Sequence, residues 1–357
     1  MAGHVVALIA AFICAAVLGF VAHRANVCTV RAMAEILTAR TAYMLASTGK
    51  AILWTGLLII PILWFTPAAV AGIGGWKLTG TALAGGFLFG LGTSINGGCA
   101  FSTMTRMMDG ELRMLLSIVG FALGIVAFVS LADVKWLARP VRTHAMIGSL
   151  LPFAFVAALL LAAFAAYEIP RLWRRRPKGV PLHRLALAPH YELSVAAFVI
   201  ALASAGLFLF VGAPGYTITL QNFVQSTVGT SMLPSPLQAV MIVAVLGGML
   251  VSALQRRSFR LDWRPRLGWL RNIVGGALMG LGTGMLPGGN DALLLSGLPS
   301  FSPHAPASYV ALLIGAGIGV LAMKLAGANT GINCKNDIYR VEAQPAGSLL
   351  SGHAPRA

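Results

Sequence analysis

Eight or nine runs of about 20 apolar residues, separated by short polar segments, constrain this chain more than any other feature. A helix needs roughly 20 such residues to cross a bilayer core of about 30 Å. The runs fall near residues 4–22, 43–65, 79–100, 112–132, 146–168, 191–213, 236–254, 271–295 and 309–325. They leave almost nothing for a separate soluble domain. Of 357 residues, 57% are hydrophobic and only 10% charged, with a mean hydropathy of +0.81; an ordinary soluble domain is about 25% charged. The expected fold is an all-α integral membrane protein of about nine transmembrane helices.

A net charge of +16, from 26 basic and 10 acidic residues, could indicate a nucleic-acid partner. The basic residues sit instead in short loops between apolar runs, which makes them topology signals, and no nucleic-acid binding is expected. The densest groups are Arg171 to Arg176 with Lys178, then Arg256 to Arg271, and a smaller set from His23 to Arg40. Placing all three in the cytoplasm puts the N-terminus outside and the C-terminus inside. Only the loop Asp133 to His144, with Lys135, Arg139 and Arg142, argues against that orientation. The first run, His4 to Ala22, has no basic segment before it and is followed by Arg24, so it reads as a retained helix.

Two runs are broken by glycine and are copies of each other. Gly85 to Cys99 reads GGFLFGLGTSINGGC and Gly275 to Gly289 reads GGALMGLGTGMLPGG. At an offset of 190 residues Gly85, Gly86, Leu88, Gly90, Leu91, Gly92, Thr93 and Gly98 recur as Gly275, Gly276, Leu278, Gly280, Leu281, Gly282, Thr283 and Gly288. The assumed topology runs the first copy inward and the second outward, the inverted arrangement in which transporters hold substrate between repeats. The resulting organisation is a first membrane half (1–168, motif 85–99), a basic cytoplasmic linker (169–190), a second half (191–326, motif 275–289) and a polar tail (327–357). A fainter echo links Gly19–Arg24 with Gly248–Arg257, at different spacing.

Unpaired backbone in hydrocarbon costs several kcal/mol per group, so a broken span must be packed in protein or line a polar cavity. Asn96, Gly97, Gly98 and Cys99 are therefore a candidate site, with Cys99 at the start of a new helix through Ala100 to Met104. Helix N-termini favour anions and activate thiols. Glycine at this spacing also serves simple close packing of helices; the duplication and the cysteine argue for more. Arg106, Asp109, Glu111 and Arg113 read as a solvated turn.

A second candidate is Arg24 to Arg31, where Cys28 lies between two arginines and the segment can dip back into the membrane; the arginines are equally explained as topology signals. Cys14 sits in an unbroken apolar run as a small hydrophobe, and Cys334 lies in the polar tail. The four cysteines show no CxxC spacing and no adjacent histidines, so neither a metal site nor a disulfide framework is expected, and no cofactor. No H-E-x-x-H, Walker A or GxSxG element is present, so neither hydrolysis nor ATP drive is expected.

With R-x-x-x-C at Arg24 and Cys28, G-x-G-x-x-x-x-G-G-C from Gly90 to Cys99 and a partial copy from Gly280, the chain resembles the YeeE/YedE family of bacterial inner-membrane sulfur transport proteins. The resemblance implies two pseudo-symmetric halves, re-entrant segments meeting at mid-membrane, and cysteines along the path of thiosulfate or a related small sulfur-containing anion. By position, Cys28 and Cys99 match. A weakly donating thiol can hold a polarisable sulfur anion and release it. A cytoplasmic sulfur-carrier protein is a further expected partner besides the lipid bilayer.

The departure is at the second copy, where Pro287-Gly288-Gly289-Asn290-Asp291 stands in place of glycine and cysteine. Asn290 and Asp291 are expected to cap the helix that follows, with Asn290 donating to an oxyanion and Asp291 repelling one. The substrate-lining set is then Cys99, Cys28, Asn96, Gly97, Gly98, Arg24, Gly288, Gly289 and Asn290. A different oxyanion, such as sulfite, is the alternative cargo, and a non-transporting membrane subunit is the alternative class.

Overall fold

A computed structural model describes residues 2–65, 74–144, 151–175, 187–212, 215–228, 236–262 and 269–326. The first half contains α1 (Ala2–Ala25), α2 (Thr29–Ala39), α3 (Tyr43–Phe65), α4 (Gly80–Asn96), α5 (Ala100–Met108), α6 (Arg113–Asp133) and α7 (Leu151–Arg175). The second contains α8 (Leu193–Val211), α9 (Tyr216–Thr227), α10 (Pro236–Arg256), α11 (Trp269–Met285), α12 (Asn290–Ala292) running into a π turn (Leu293–Gly297), and α13 (Ala305–Leu325). Two short strands distant in sequence, β1 (Gly74–Trp76) and β2 (Arg142–His144), pair antiparallel. Long helix, short helix, long helix, broken helix, long helix: the order of α1 to α6 recurs in α8 to α13 at an offset of about 190 residues.

Among the described residues, six helical stretches are long and apolar enough to cross a bilayer: Val5–Ala39, Tyr43–Pro61, Arg113–Asp133, Leu193–Val211, Pro236–Arg256 and Ala305–Leu325. The molecule is inside-out in the way a lipid solvent requires. Leu123, Leu160, Val243 and Ile314 are more than half exposed, while Thr93, Asn272, Thr283 and Ser308 are almost completely buried. The chain is thus an all-α, multi-pass membrane protein.

Two expected spans end early. Runs 79–100 and 271–295 become helices of 17 residues each, about 25 Å long and short of the core thickness. Hydropathy does not register the stop. In α4 the stop is Gly97 at φ 79°, whose N–H donates to Ser94 C=O while the Gly98 N–H donates to Thr93 C=O, a left-handed glycine cap. In α11 the equivalent left-handed residue is Gly288 at φ 77°.

These two broken helices form the centre, α4 against α11, each also packed on one partner, α13 for α4 and α6 for α11. Glycine permits the approach. A Cβ at Gly85 would sit 2.9 Å from Gly282 O, and one at Gly282 would sit 2.6 Å from Gly85 O, so neither can carry a side chain while the backbones stay in place. Outside this centre α1 packs on α8 and α10, and α3 on α8. Gly19 faces the Val245 backbone and Gly248 faces the Ala16 backbone; the faint echo between those segments reflects mutual packing of α1 on α10.

The expected basic linker begins inside α7, which continues to Arg175. Residues 176–186 and the tail from 327, including Cys334, lie outside the described residues.

Candidate functional site

Both candidate cysteines occupy the residue before a short helix. Cys28 (φ −150°, ψ 126°) precedes α2 and Cys99 (φ −70°, ψ 171°) precedes α5. Separated by 71 positions in sequence, they lie together in one buried cluster. The cluster's walls are Val30, Ala32, Ala34, Met44 and Val320, with Phe101 at its edge. Neither sulfur closes a cap, and each stands at the start of a short helix. Two weak S–H donors at helix starts in an apolar shell suit a soft, polarisable anion better than a hard, fully hydrated one.

Asn96 braces this arrangement. Its amide donates to Gly98 C=O at 3.0 Å and to Thr103 Oγ1 at 2.8 Å, and its Oδ1 accepts from Ser117 Oγ at 2.5 Å and Asn272 Nδ2 at 2.8 Å. All the hydrogen-bonding capacity of the side chain is spent. Asn96 therefore shapes the break, with Asn272 of the other half reaching across to it and to its carbonyl at 3.1 Å.

The second break is fastened differently. Gly289 N–H donates to Thr217 Oγ1 at 2.8 Å, the Thr217 hydroxyl donates to Asp291 Oδ1, and the Thr217 N–H donates to Asp291 Oδ2 at 3.1 Å. Asp291 thus caps the first turn of α9, not the helix after it as expected, because a carboxylate there satisfies free N–H groups of a neighbouring helix. The space where a second thiol would stand is filled: a Cβ at Gly289 would lie 2.8 Å from the Phe89 ring and 3.1 Å from the Thr217 methyl group.

Beside the second break lies a cavity of about 60 Å³ with Thr29, Ser47, Thr48, Asn290 and Asp291 as its polar lining and Leu18, Phe101 and Ile200 among its apolar walls; neither cysteine lines it. At about 10–15 Å³ of such volume per water it admits a few waters or one small anion. The Asn290 side chain is 4% exposed and its Oδ1 has no partner.

The structure brings together Cys28, Cys99 and the Asn96 to Gly98 turn; of Gly288 to Asn290, only Asn290 lines the cavity. It does not bring Arg24 to them. The Arg24 guanidinium donates to Ser252 Oγ at 3.2 Å, Gln255 Oε1 at 2.7 Å and the Ala188 carbonyl, and lies on the Phe20 ring at 4.2 Å. Its work is to tie α1 to α10. Cys14 is half-buried and its sulfur packs on Gly206, as a small hydrophobe should.

Sequence reading missed Tyr216, Thr217 and Asn272. Tyr216 is buried, rests against Phe101 with ring centroids 5.4 Å apart, and has a hydroxyl without a partner. Its signal was available: Gly212 to Gly215 interrupts an apolar run just before Tyr216-Thr217, as Asn26-Val27 does before Cys28-Thr29. Among the described residues no group of three or more histidine, cysteine or acidic side chains is placed to hold a metal.

At the end of the molecule that carries the basic segments, Asp109 follows α5. Burial works to raise its carboxyl, but hydrogen bonds from His23 and Ser258, with the Arg256 charge, outweigh it and hold the group below its ordinary value.

No curated protein matches the chain. A family model described as sulphur transport matches residues 24–318, so both cysteines and both broken helices fall within it, and the chain belongs to the sulphur transport (YeeE/YedE) family of membrane proteins.

Proposed function

We propose that this protein is an inner-membrane permease for thiosulfate or a related small sulfur-containing anion, passing it through the centre where α4 and α11 break. The observation that carries this reading is the buried contact between Cys28 and Cys99, brought together from two separate helix starts. Thiols meet the outer, polarisable sulfur, while hydroxyl, amide and backbone N–H groups meet the oxygens. Tyr216 is the donor proposed for the latter, since its hydroxyl is buried without a partner, with the amide N–H groups of the buried Asn290 beside it.

Supporting features are the recurring element order and the mutual packing of α4 and α11, which fit two halves related as inverted repeats. Nine crossings follow if the broken segments and α7 complete the passage, with the N-terminus periplasmic and the C-terminus cytoplasmic. A cytoplasmic sulfur-carrier protein would receive the cargo.

The test is thiosulfate uptake in a thiosulfate-dependent cell lacking its own importers, with wild-type chain or Cys99→Ala. Uptake by the wild type and its collapse in the variant is the expected result. No uptake by a wild type verified in the membrane would sink the thiosulfate reading. It would favour a second one, an oxyanion such as sulfite, for which the Gly289–Asn290–Asp291 sequence in place of a second thiol is the specific support.

A further inference from the structure

Two arginines of the first half and one of the second converge on the turn that ends α4. Glu111 accepts from Arg106 Nε at 3.1 Å and from Arg113 Nε at 2.9 Å, and the Nη2 atoms of both lie 2.7–2.8 Å from it, so two guanidiniums share one carboxylate. Arg106 also donates to the Gly97 carbonyl at 3.3 Å. Arg271, in the first turn of α11, approaches from the opposite side. The point where a Gly97 side chain would begin lies 3.8 Å from Arg271 Nη2 and 3.9 Å from Arg106 Nη1.

The Nε of Arg271 is shielded from solvent and has no acceptor, and the charges it faces are those of Arg113 and Arg106. Like charges drawn together at partial burial repel, and a buried N–H left unpaired costs about 1–3 kcal/mol. The carbonyl end of the α4 dipole offsets some of that cost, yet the Gly97 carbonyl is already taken by Arg106. The space is open besides. At Gly85, Gly92, Gly275 and Gly282 an added Cβ would meet backbone at 2.6–2.9 Å, whereas over Gly97 nothing lies closer than 3.8 Å.

We infer that Arg106, Arg113 and Arg271 form a second anion site over Gly97, distinct from the thiol centre and taking a small oxyanion of one or two negative charges. The guanidinium fork matches sulfonate or sulfate oxygens. Because Gly97 is two residues from Cys99, an anion leaving the thiols on this side meets the arginines next. The identity of the occupant as cargo rests on the permease reading; the site itself does not. A lipid phosphate has the same chemistry, and the test separates the two sources.

Binding of radiolabelled sulfate, and in parallel thiosulfate, is measured on the full chain in nanodiscs of zwitterionic lipid. Arg271→Gln should weaken sulfate binding at least about tenfold, and Arg271→Lys should recover part of it. Equal sulfate binding by wild type and Arg271→Gln overturns the site. In nanodiscs containing phosphatidylglycerol, persistence of the Arg271-dependent binding supports a free anion. Its disappearance there assigns the arginines to lipid and overturns the proposal. Sulfate has no outer sulfur, so thiosulfate binding that ignores Cys99 beside sulfate binding that needs Arg271 would defeat the thiol-centre reading alone.

Discussion

The two breaks occupy equivalent places and are built from different chemistry. Each follows a 17-residue glycine-rich helix, each has a left-handed glycine within three residues of that helix's end, and each meets the start of a short helix, α2 in one half and α9 in the other. At the first the meeting is thiol to thiol; at the second it is carboxylate to hydroxyl and N–H. A charged, doubly accepted staple holds more firmly than a pair of weak S–H donors. On the proposed permease reading, the second break anchors and the first exchanges.

The largest expected effect tests that division directly. Cys99→Ala should reduce thiosulfate uptake by about a hundredfold, roughly 2.7 kcal/mol, with little change in melting temperature; a loss of fold instead would make the thiols structural. Asp291→Ala should do the reverse first, lowering stability by about 2 kcal/mol because the Thr217 N–H and hydroxyl lose their acceptor. Thermal melting in detergent reads this, and an unchanged curve would remove the staple from the account.

Next in size is Gly289→Cys, which supplies the second thiol where Phe89 and Thr217 already fill the space. Overpacking should cost about 1.5 kcal/mol, and Phe89→Leu in the same chain should recover much of it. If Gly289→Cys is neutral by itself, steric exclusion is not why this break lacks a thiol.

The smallest effect concerns pH. The Asp109 carboxyl is held below its ordinary value, so its stabilisation is present above the unfolded value of about 3.9 and is lost as pH falls below it. Asp109→Asn should cost about 1 kcal/mol at neutral pH and flatten the acid side of the stability curve. A variant whose curve is as steep as the wild type's would place that acid sensitivity elsewhere.

How much of this was legible in the sequence follows from what each feature needs. The glycine copies were visible because close approach of two backbones excludes every other residue at Gly85 and Gly282, leaving a pattern that composition cannot imitate. The ends of α4 and α11 were legible in the glycines at Gly97-Gly98 and Gly288-Gly289, though hydropathy alone continues through both while the backbone turns. Cys28 and Cys99 could be paired only through family resemblance, because nothing local links a helix start to a break 71 positions away. Asp291 was assigned to its own helix for want of its partner, Thr217, which comes from another part of the fold. Arg24 looked like a ligand, and Ser252, Gln255 and the Ala188 carbonyl occupy it.

The Asn96 amide, joined to Ser117 within its own half and Asn272 in the other, has a kinetic consequence. Together with the glycine contacts of α4 on α11 it clasps the two halves where the broken helices meet, which a rocking motion would need to part. Any passage through this centre is then timed by the rotamers of a few side chains such as Cys28, Cys99 and Phe101, on the nanosecond-to-microsecond scale rather than that of whole domains. The molecule would behave as a fixed aperture with soft lips, fast for the anion that fits and indifferent to the state of its outer helices.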